Sequence, residues 1–377
     1  MPDIPERGVV FWPVGCGDST TLIVDDEMVV QVDLHHCVEA ESEEDDRAAV
    51  IDRLIEILPE RDGKPYLAGF GATHLDADHI RGFERLLDEV TIGDLWFTPR
   101  ILWEQDQDEL IDDAKAFVEE AERRIEKIKK NSEVDSGDRV RIIGFMDAVK
   151  DAYEDVPEES VTVPGNAFTA IDGVDLEGVF RAFVHSPFKD DGESDRNDTS
   201  FALQVTLSGE DGDLRVLLLG DLAYPTLKNI FVRSDDVDLE WDVMLAVHHC
   251  SKRAMYEKEN DADVLRRDIL DALEAACAEG AYIVASATEI PSADTPGADP
   301  PHRKAAQRYE EIVDDGHFLV TEDQAPDVIA FTPGVDGARL CEAASVSESS
   351  LLGAAIAAAR GATKPAGKRV GFGAPRA

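Results

Sequence analysis

The sequence predicts an α/β fold, and three segments carry this prediction. Residues 66–72 form an apolar run of strand length, and residues 80–87 after them have the apolar spacing of a helix. Residues 217–219 form a second apolar strand, which ends in a Gly-Asp pair. A third predicted strand, at 282–286, is followed by a predicted helix at 303–314. Strands that alternate with helices favour sheets covered by helices.

Four residues with metal-binding side chains lie in the turn after the first of these strands. They are His74, Asp76, Asp78 and His79, and they fall within six positions. In a strand-to-helix turn such neighbouring side chains can converge on one point. Imidazole and carboxylate groups together suit first-row divalent metals. The alternative is an acidic turn that contains histidine and binds no metal.

The pattern His74-x-Asp76-x-Asp78-His79 resembles the His-x-His-x-Asp-His motif of the metallo-β-lactamase superfamily. Asp76 stands where the superfamily has its second histidine, so an anionic oxygen replaces a neutral nitrogen. This replacement shifts the expected preference toward harder ions such as manganese, with zinc as the alternative.

Further segments resemble one branch of the superfamily, which contains the hydrolase domain of the DNA-uptake channel protein ComEC and phosphorylcholine esterase. In chain order they are residues 14–24 and 28–33, His185-Ser186-Pro187, residues 197–203, residues 217–221 and residues 242–252. Cys250 occupies the position of a glycine in this branch, a position that tests the resemblance if it requires positive φ. The resemblance covers roughly residues 8–335, and it implies a four-layer αββα sandwich with a helical insertion.

The resemblance also implies two divalent ions, zinc or manganese. The first ion would bind His74, Asp76 and His185, the second would bind Asp78, His79 and His302, and Asp221 would bridge them. Asn197 is the alternative to His185. His248 is the alternative to His302 as the last ligand.

His248 and His249 are interpreted as catalytic, because a histidine just outside the metal ligands can contact a phosphate or protonate a leaving group. Ser251 and Lys252 add a hydroxyl donor and a positive charge where oxygen charge develops, which favours a phosphate ester. The predicted catalytic set is therefore Asp78, His248, His249, Ser251 and Lys252. Arg81 either assists in the same way or faces solvent on its helix.

Three other histidines are not assigned to the site. His35 and His36 follow Asp33 and are predicted to form a solvated loop pair. His317 precedes a short apolar run and is predicted to serve packing.

Composition limits the class of substrate. The chain has 377 residues, of which 80 are acidic and 37 are basic, and its net charge is −43. This charge opposes non-specific binding to a polyanion, so long duplex DNA is not an expected partner. The five cysteines form no disulfide framework, and no apolar run approaches the length of a membrane span. With no signal-peptide pattern at the start, a cytoplasmic protein is expected.

The predicted hydrolase domain spans residues 1–335, with the insertion at about 104–165. Residues 110–128 have the spacing of an amphipathic helix, and a second helix at 143–153 would pair with it as a hairpin. The hairpin is interpreted as a cap on the core, the alternatives being a dimer interface or a substrate lid. A polar loop at 189–195 is expected to border the site.

Residues 336–377 form a predicted C-terminal extension. It combines a helix at 351–359 with a basic tail at 360–377 that is predicted to be disordered, and such a tail can contact a nucleic acid or a protein partner.

The expected function is metal-dependent hydrolysis of a phosphodiester, in a nucleotide-derived or short single-stranded substrate. Two ions that share a carboxylate lower the pKa of a bound water and polarise the electrophile. One alternative is a thioester or lactone hydrolase of the same fold. The other is a binding or scaffold protein that retains the fold without catalysis.

Overall fold

A computed structural model describes residues 4–42, 44–102, 110–131, 133–189 and 197–341. Most of the polar loop predicted at 189–195 lies outside these residues, as do the predicted helix at 351–359 and the basic tail.

Strands are spread over the whole described chain. In order they are β1 (Gly8–Phe11), β2 (Thr20–Ile23), β3 (Val29–Val32), β4 (Glu60–Arg61), β5 (Lys64–Gly71), β6 (Thr91–Phe97), β7 (Arg139–Ile143), β8 (Val161–Thr162), β9 (Ala167–Phe168), β10 (Ala170–Ile171), β11 (Val174–Asp175), β12 (Phe180–Ser186), β13 (Ala202–Gly209), β14 (Gly212–Leu218), β15 (Trp241–Leu245), β16 (Tyr256–Glu259), β17 (Ala262–Leu265), β18 (Cys277–Ala285), β19 (Phe318–Val320), β20 (Ile329–Gly334) and β21 (Gly337–Leu340).

Helices alternate with these strands. They are α1 (Val50–Ile57), α2 (Ala77–Ile80), α3 (Phe83–Glu89), α4 (Asp112–Lys130), α5 (Met146–Ala152), α6 (Tyr224–Arg233), α7 (Asp236–Leu239), α8 (Val247–Cys250), α9 (Arg267–Ala276), α10 (Arg303–Glu310) and α11 (Thr321–Gln324). Within the described ranges, none of the helices combines the length and apolar character needed to cross a membrane.

Two mixed sheets form the centre of the fold. The first has the strand order β21-β20-β1-β2-β3-β5-β6-β7-β8, with β4 paired to β5, and the second has the order β19-β18-β15-β14-β13-β12-β9. Apolar side chains from both sheets, such as Phe11, Val30, Val184 and Leu203, form a shared core between them. The architecture is therefore an α/β sandwich, as the sequence predicts.

Each sheet buries its other face under helices. Phe70 of the first sheet packs with Leu54 of α1, Phe83 of α3 and Phe117 of α4 in a second core. A third core joins the second sheet to α6, α9 and α10, through residues such as Leu227 and Tyr309. The candidate metal centre lies where strand ends of the two sheets meet.

The segment at 110–165 differs from the expected helical hairpin. Its long helix α4 carries Asp112 and Asp113 in the first turn and Lys127, Lys129 and Lys130 in the last. This distribution of charge interacts favourably with the helix dipole and stabilises the helix. After α4 the chain enters β7, which pairs in parallel with β6. The helix is therefore a crossover between two parallel strands, and the segment extends the first sheet.

The helix predicted at 80–87 is also divided in two. Gly82 has φ of 95° and separates α2 from α3. A Cβ at this position would lie 2.8 Å from the Cβ of His36, so the close approach of the two segments requires glycine.

Candidate metal centre

Four buried residues bring their ligand atoms together at the edge of the sandwich. These residues are Asp18, His79, Asp221 and His249, and the four atoms all lie within 4.8 Å of one another. Carboxylate oxygens and imidazole nitrogens at this spacing can hold a metal ion. The group combines three residues predicted as site residues with one that was not.

Strand pairing explains why residues so distant in sequence meet here. In the first sheet β3 runs parallel to β5, with Val32 opposite Gly71, so Asp33 and the turn that contains His79 leave the same edge. In the second sheet β14 runs parallel to β15, with Leu217 opposite Met244. Asp221 and the two histidines after β15 therefore leave their sheet at one edge as well, where sites of α/β proteins commonly form.

The histidine turn after β15 has an unusual backbone. His248, His249 and Cys250 have φ of 51°, 50° and 65°, in the left-handed region. Each such residue costs about 1–2 kcal/mol relative to a right-handed conformation. The turn is held from both sides, because the His248 N–H donates to Gly220 O (3.1 Å) and Cys250 O accepts from the His302 N–H (3.0 Å). Backbone strain of this kind concentrates at functional sites.

Cys250 thus adopts the positive φ that the resemblance suggests for a glycine position. Its side chain is fully buried in the core under the second sheet.

The two carboxylate oxygens of Asp221 face different histidines. Oδ1 lies 3.3 Å from His79 Nε2 and 3.6 Å from His249 Nε2. Oδ2 lies 3.3 Å from His248 Nε2 and 3.9 Å from His74 Nε2. Asp221 is therefore placed between two sets of imidazoles.

Two further carboxylates contact these sets. His249 Nδ1 lies 3.2 Å from Asp18 Oδ1, and His249 Nε2 lies 3.2 Å from Asp78 Oδ2. On the other side of Asp221, the Nε2 of His74 lies 3.8 Å from Asp76 Oδ2. The four residues of the predicted motif thus form two sets, one with His79 and Asp78 and the other with His74 and Asp76.

Asp18 is a site residue that the sequence prediction missed. It lies within the segment 14–24 of the resemblance, where an acidic residue between Gly17 and an apolar strand could have indicated a ligand. A Cβ on Gly17 would lie 2.0 Å from His35 Nδ1, so this glycine allows the Asp18 segment to approach the site closely. The backbone N–H of Asp18 also donates to Asp78 O (3.0 Å).

Asp33 holds the turn that contains His79 in place through hydrogen bonds. Its Oδ1 accepts the Thr73 N–H (2.7 Å), and its Oδ2 accepts from Thr73 Oγ1 (2.7 Å) and His79 Nδ1 (2.9 Å). A carboxylate on one ring nitrogen fixes the tautomer and leaves His79 Nε2 for a metal. His74 is supported similarly, since its Nδ1 lies 3.1 Å from Thr73 Oγ1 and 3.3 Å from Ser200 Oγ.

Burial and neighbouring charges shift the pKa values of the histidines at the site. Burial would lower the pKa of His79, but Asp221 and Asp33 raise it well above its usual range. The pKa of His249 is raised in the same way by Asp221 and Asp18. Burial lowers the pKa of His74 to about 3. Because ligand histidines must be neutral, a divalent ion would displace protons from His79 and His249.

The residues present fit a metal ion. Several buried atoms here make no hydrogen bond of good geometry with residues that the structure describes, namely Asp18 Oδ1, His74 Nε2, Asp221 Oδ1, His248 Nδ1 and His249 Nδ1. Such groups are costly to bury unless a ligand or water satisfies them.

His185, predicted as a ligand of the first ion, is placed elsewhere. Its Nδ1 shares a hydrogen bond with Ser234 Oγ (2.8 Å), and its ring lies edge-on to Phe183. It does not belong to the group of converging ligand atoms, and neither does its alternative, Asn197. The segment after Asn197 instead reaches the site through Ser200 and His74.

His302, predicted as the last ligand, also lies outside the group. It stands at the start of α10, where its Nδ1 accepts the Lys252 N–H (3.4 Å). It therefore supports the histidine turn, and His249 has joined the group in its place. The ligand role of His302 is implied by the resemblance alone, and a resemblance in sequence does not define which histidine faces the site.

Ser251 and Lys252 have structural contacts. Ser251 Oγ accepts the Arg253 N–H (3.3 Å) and caps a short turn. Lys252 Nζ lies 3.0 Å from Asp263 Oδ2, an oxygen that Lys304 Nζ also approaches at 2.9 Å. The structure thus gives neither side chain a contact with the group.

The pair His35 and His36 is buried, so the prediction of a solvated loop is wrong. His36 Nε2 lies 3.2 Å from Glu41 Oε1, and His35 Nε2 lies 3.3 Å from Cys37 Sγ. Burial lowers the pKa of His35 to about 4. The packing role predicted for His317 is confirmed by its stacking on Tyr282, with ring centroids 4.0 Å apart.

No protein-family model matches this chain, and no curated protein matches it.

Proposed function

We propose that this protein is a metal-dependent hydrolase of the metallo-β-lactamase class that cleaves a phosphodiester. The observation that carries the proposal is the position of Asp221, whose two oxygens face two separate pairs of histidines. A carboxylate so placed suits a bridge between two divalent ions, the arrangement used by many phosphodiesterases.

The proposed ligands follow from the two sides of Asp221. On the Oδ1 side His79, His249 and Asp18 would hold one ion together with Asp221, and these four residues are all buried. The half-buried carboxylate of Asp78 would complete this set. On the Oδ2 side His74, His248 and Asp76 would hold the second. So many carboxylates favour manganese, and the histidines keep zinc as the alternative.

When bound, such ions act as Lewis acids and make hydroxide available from water at neutral pH. The protein itself holds the ligands in place through Asp33 and the strained histidine turn, so that little rearrangement is needed when a substrate binds.

Arg253 supports an anionic substrate. It is exposed, makes no ion pair with any residue that the structure describes, and follows His248 by five positions in the chain. Burial lowers the pKa of His248, Asp221 raises it, and Arg253 is among the cations that lower it again. An exposed guanidinium of this kind can bind a phosphoryl oxygen.

The substrate is proposed to be small or a short single strand, because the net charge of −43 repels long polyanions. Cys16, Cys37, Cys250 and Cys277 form no disulfide, which suits a cytoplasmic location. A thioester or lactone hydrolase is the second candidate, and it is favoured by the pairing of Lys252 with Asp263, which removes that lysine from phosphate recognition.

Cleavage of bis-para-nitrophenyl phosphate in the presence of manganese tests the proposal. The wild type is expected to cleave this diester faster than the corresponding monoester or a neutral thioester. Arg253→Ala is expected to reduce kcat/KM for the diester about tenfold or more, because the substitution removes the proposed cation for the phosphoryl oxygen. It should leave any thioester cleavage unchanged.

Lys252→Ala is the matched control, since it removes the neighbouring cation that Asp263 already pairs with. Its effect on the diester is expected to be small. If the thioester proves the better substrate and Arg253→Ala changes nothing, the phosphodiesterase proposal is wrong and the second candidate takes its place.

A further inference from the structure

A separate cavity of about 290 Å³ is lined in part by His185. Three phenylalanine rings, those of Phe145, Phe183 and Phe188, line it together with Arg233, Ser234, Asp235 and Asp238. Ligand pockets in proteins typically combine aromatic walls with polar groups of fixed position, and this cavity offers aromatic rings beside polar and charged side chains.

His185 supplies the fixed polar group. The residue is 2% exposed, and its Nδ1 is held by Ser234 Oγ at 2.8 Å. Its Nε2 makes no hydrogen bond of good geometry within the described part of the chain. A buried nitrogen left in this state is costly, so a hydrogen-bonding ligand in the cavity would stabilise it.

The ring is neutral near pH 7. Burial lowers the pKa of His185 to about 4, although the backbone of Asp238 opposes this change. A neutral imidazole can donate or accept through Nε2, depending on the tautomer that Ser234 selects.

The aromatic walls contact neighbouring side chains. Phe183 packs edge-on against His185, with centroids 4.9 Å apart, and the guanidinium of Arg233 lies 4.5 Å from the centre of the Phe188 ring. Phe145 and Phe188 also line an adjoining cavity of about 220 Å³, so the two rings form a shared wall. Planar rings bind such walls by stacking.

We propose that the cavity around His185 binds a nucleobase, stacked on the phenylalanine rings and hydrogen-bonded to His185 Nε2. A base fits because it offers both a flat face and ring-edge donors and acceptors. A purely aliphatic ligand would leave Nε2 unsatisfied.

The cavity is connected to the metal centre through the backbone. Ser186, next to His185, donates from Oγ to Ser200 O (2.8 Å), and Ser200 Oγ lies 3.3 Å from His74 Nδ1. That the bound base belongs to the hydrolysed substrate rests on the proposed function. Binding of the base itself does not.

The test is binding of adenosine to the full-length chain, measured by calorimetry and by ligand-observed NMR after metal removal with EDTA. Adenosine is expected to bind, and ribose alone is not. Phe188→Ala and His185→Gln are each expected to weaken adenosine binding about tenfold, the loss of one stacking or hydrogen-bonding contact. Phe188 is half-buried, so its truncation leaves the core in place even if His185→Gln fails to fold.

His317→Gln and Phe231→Ala make the same changes away from the cavity and should bind adenosine as the wild type does. The proposal is overturned if adenosine does not bind, or if Phe188→Ala binds it as tightly as Phe231→Ala. Because the measurement is made without metal or turnover, a failure of the phosphodiesterase proposal would not affect it.

Discussion

Asp221→Asn is expected to remove metal binding and activity together. The substitution keeps the shape of the side chain but removes the charge that faces His79 and His249 on one side and His248 on the other. Loss of an outer-shell partner typically costs about 10–100-fold in metal affinity, and loss of a shared direct ligand should exceed that range. Elemental analysis and manganese-dependent cleavage of the diester measure the two effects.

Asp242→Asn is the matched control. Asp242 is another buried aspartate of the second sheet, but it pairs with Arg215 instead of facing the histidines. It should lower stability and leave metal content unchanged. Equal metal loss in both variants would show that a buried carboxylate matters here only for folding, and Asp221 would lose its assigned role.

His249→Ala and His302→Ala are expected to separate a ligand from a supporting residue. His249 lies within 3.2 Å of both Asp18 and Asp78, so its removal should abolish metal binding at the buried group. His302 contacts the backbone of the same turn through Lys252 and Cys250. Its removal should leave metal bound and lower thermal stability.

Metal content and thermal unfolding, measured on both variants, show which histidine is a ligand and which supports the turn. Metal loss in His302→Ala with retention in His249→Ala would restore the ligand role that the resemblance implies for His302 and contradict the geometry of the turn.

The local sequence pattern predicts the strands next to the site more accurately than it predicts the site residues. The strand before His74 and the strand that ends near Asp221 are both present, because apolar runs bounded by turn residues specify strands locally. The approach of His74 and His79 to Asp221 follows from those strands.

The remaining differences between the predicted and the observed positions of residues depend on contacts between segments that are distant in sequence. Asp18 enters the group only because β2 and β3 bring it beside the turn that contains Asp78. Lys252 turns away to Asp263, which lies on β17 and becomes a neighbour once β16 and β17 pair. His36 is buried because its Nδ1 accepts the Ile51 N–H (3.4 Å) at the start of α1. No local pattern encodes these pairings.

The central claim is that a metal ion binds between Asp221 and the histidines, and anomalous diffraction from crystals of the zinc- or manganese-loaded protein tests it most directly. We predict a peak within about 2.0–2.2 Å of Asp221, His79 and His249 atoms, the usual length of such bonds. A second peak is expected on the side of His74 and His248. Absence of any peak at Asp221, or an ion bound instead at His185 or His302, would contradict the account.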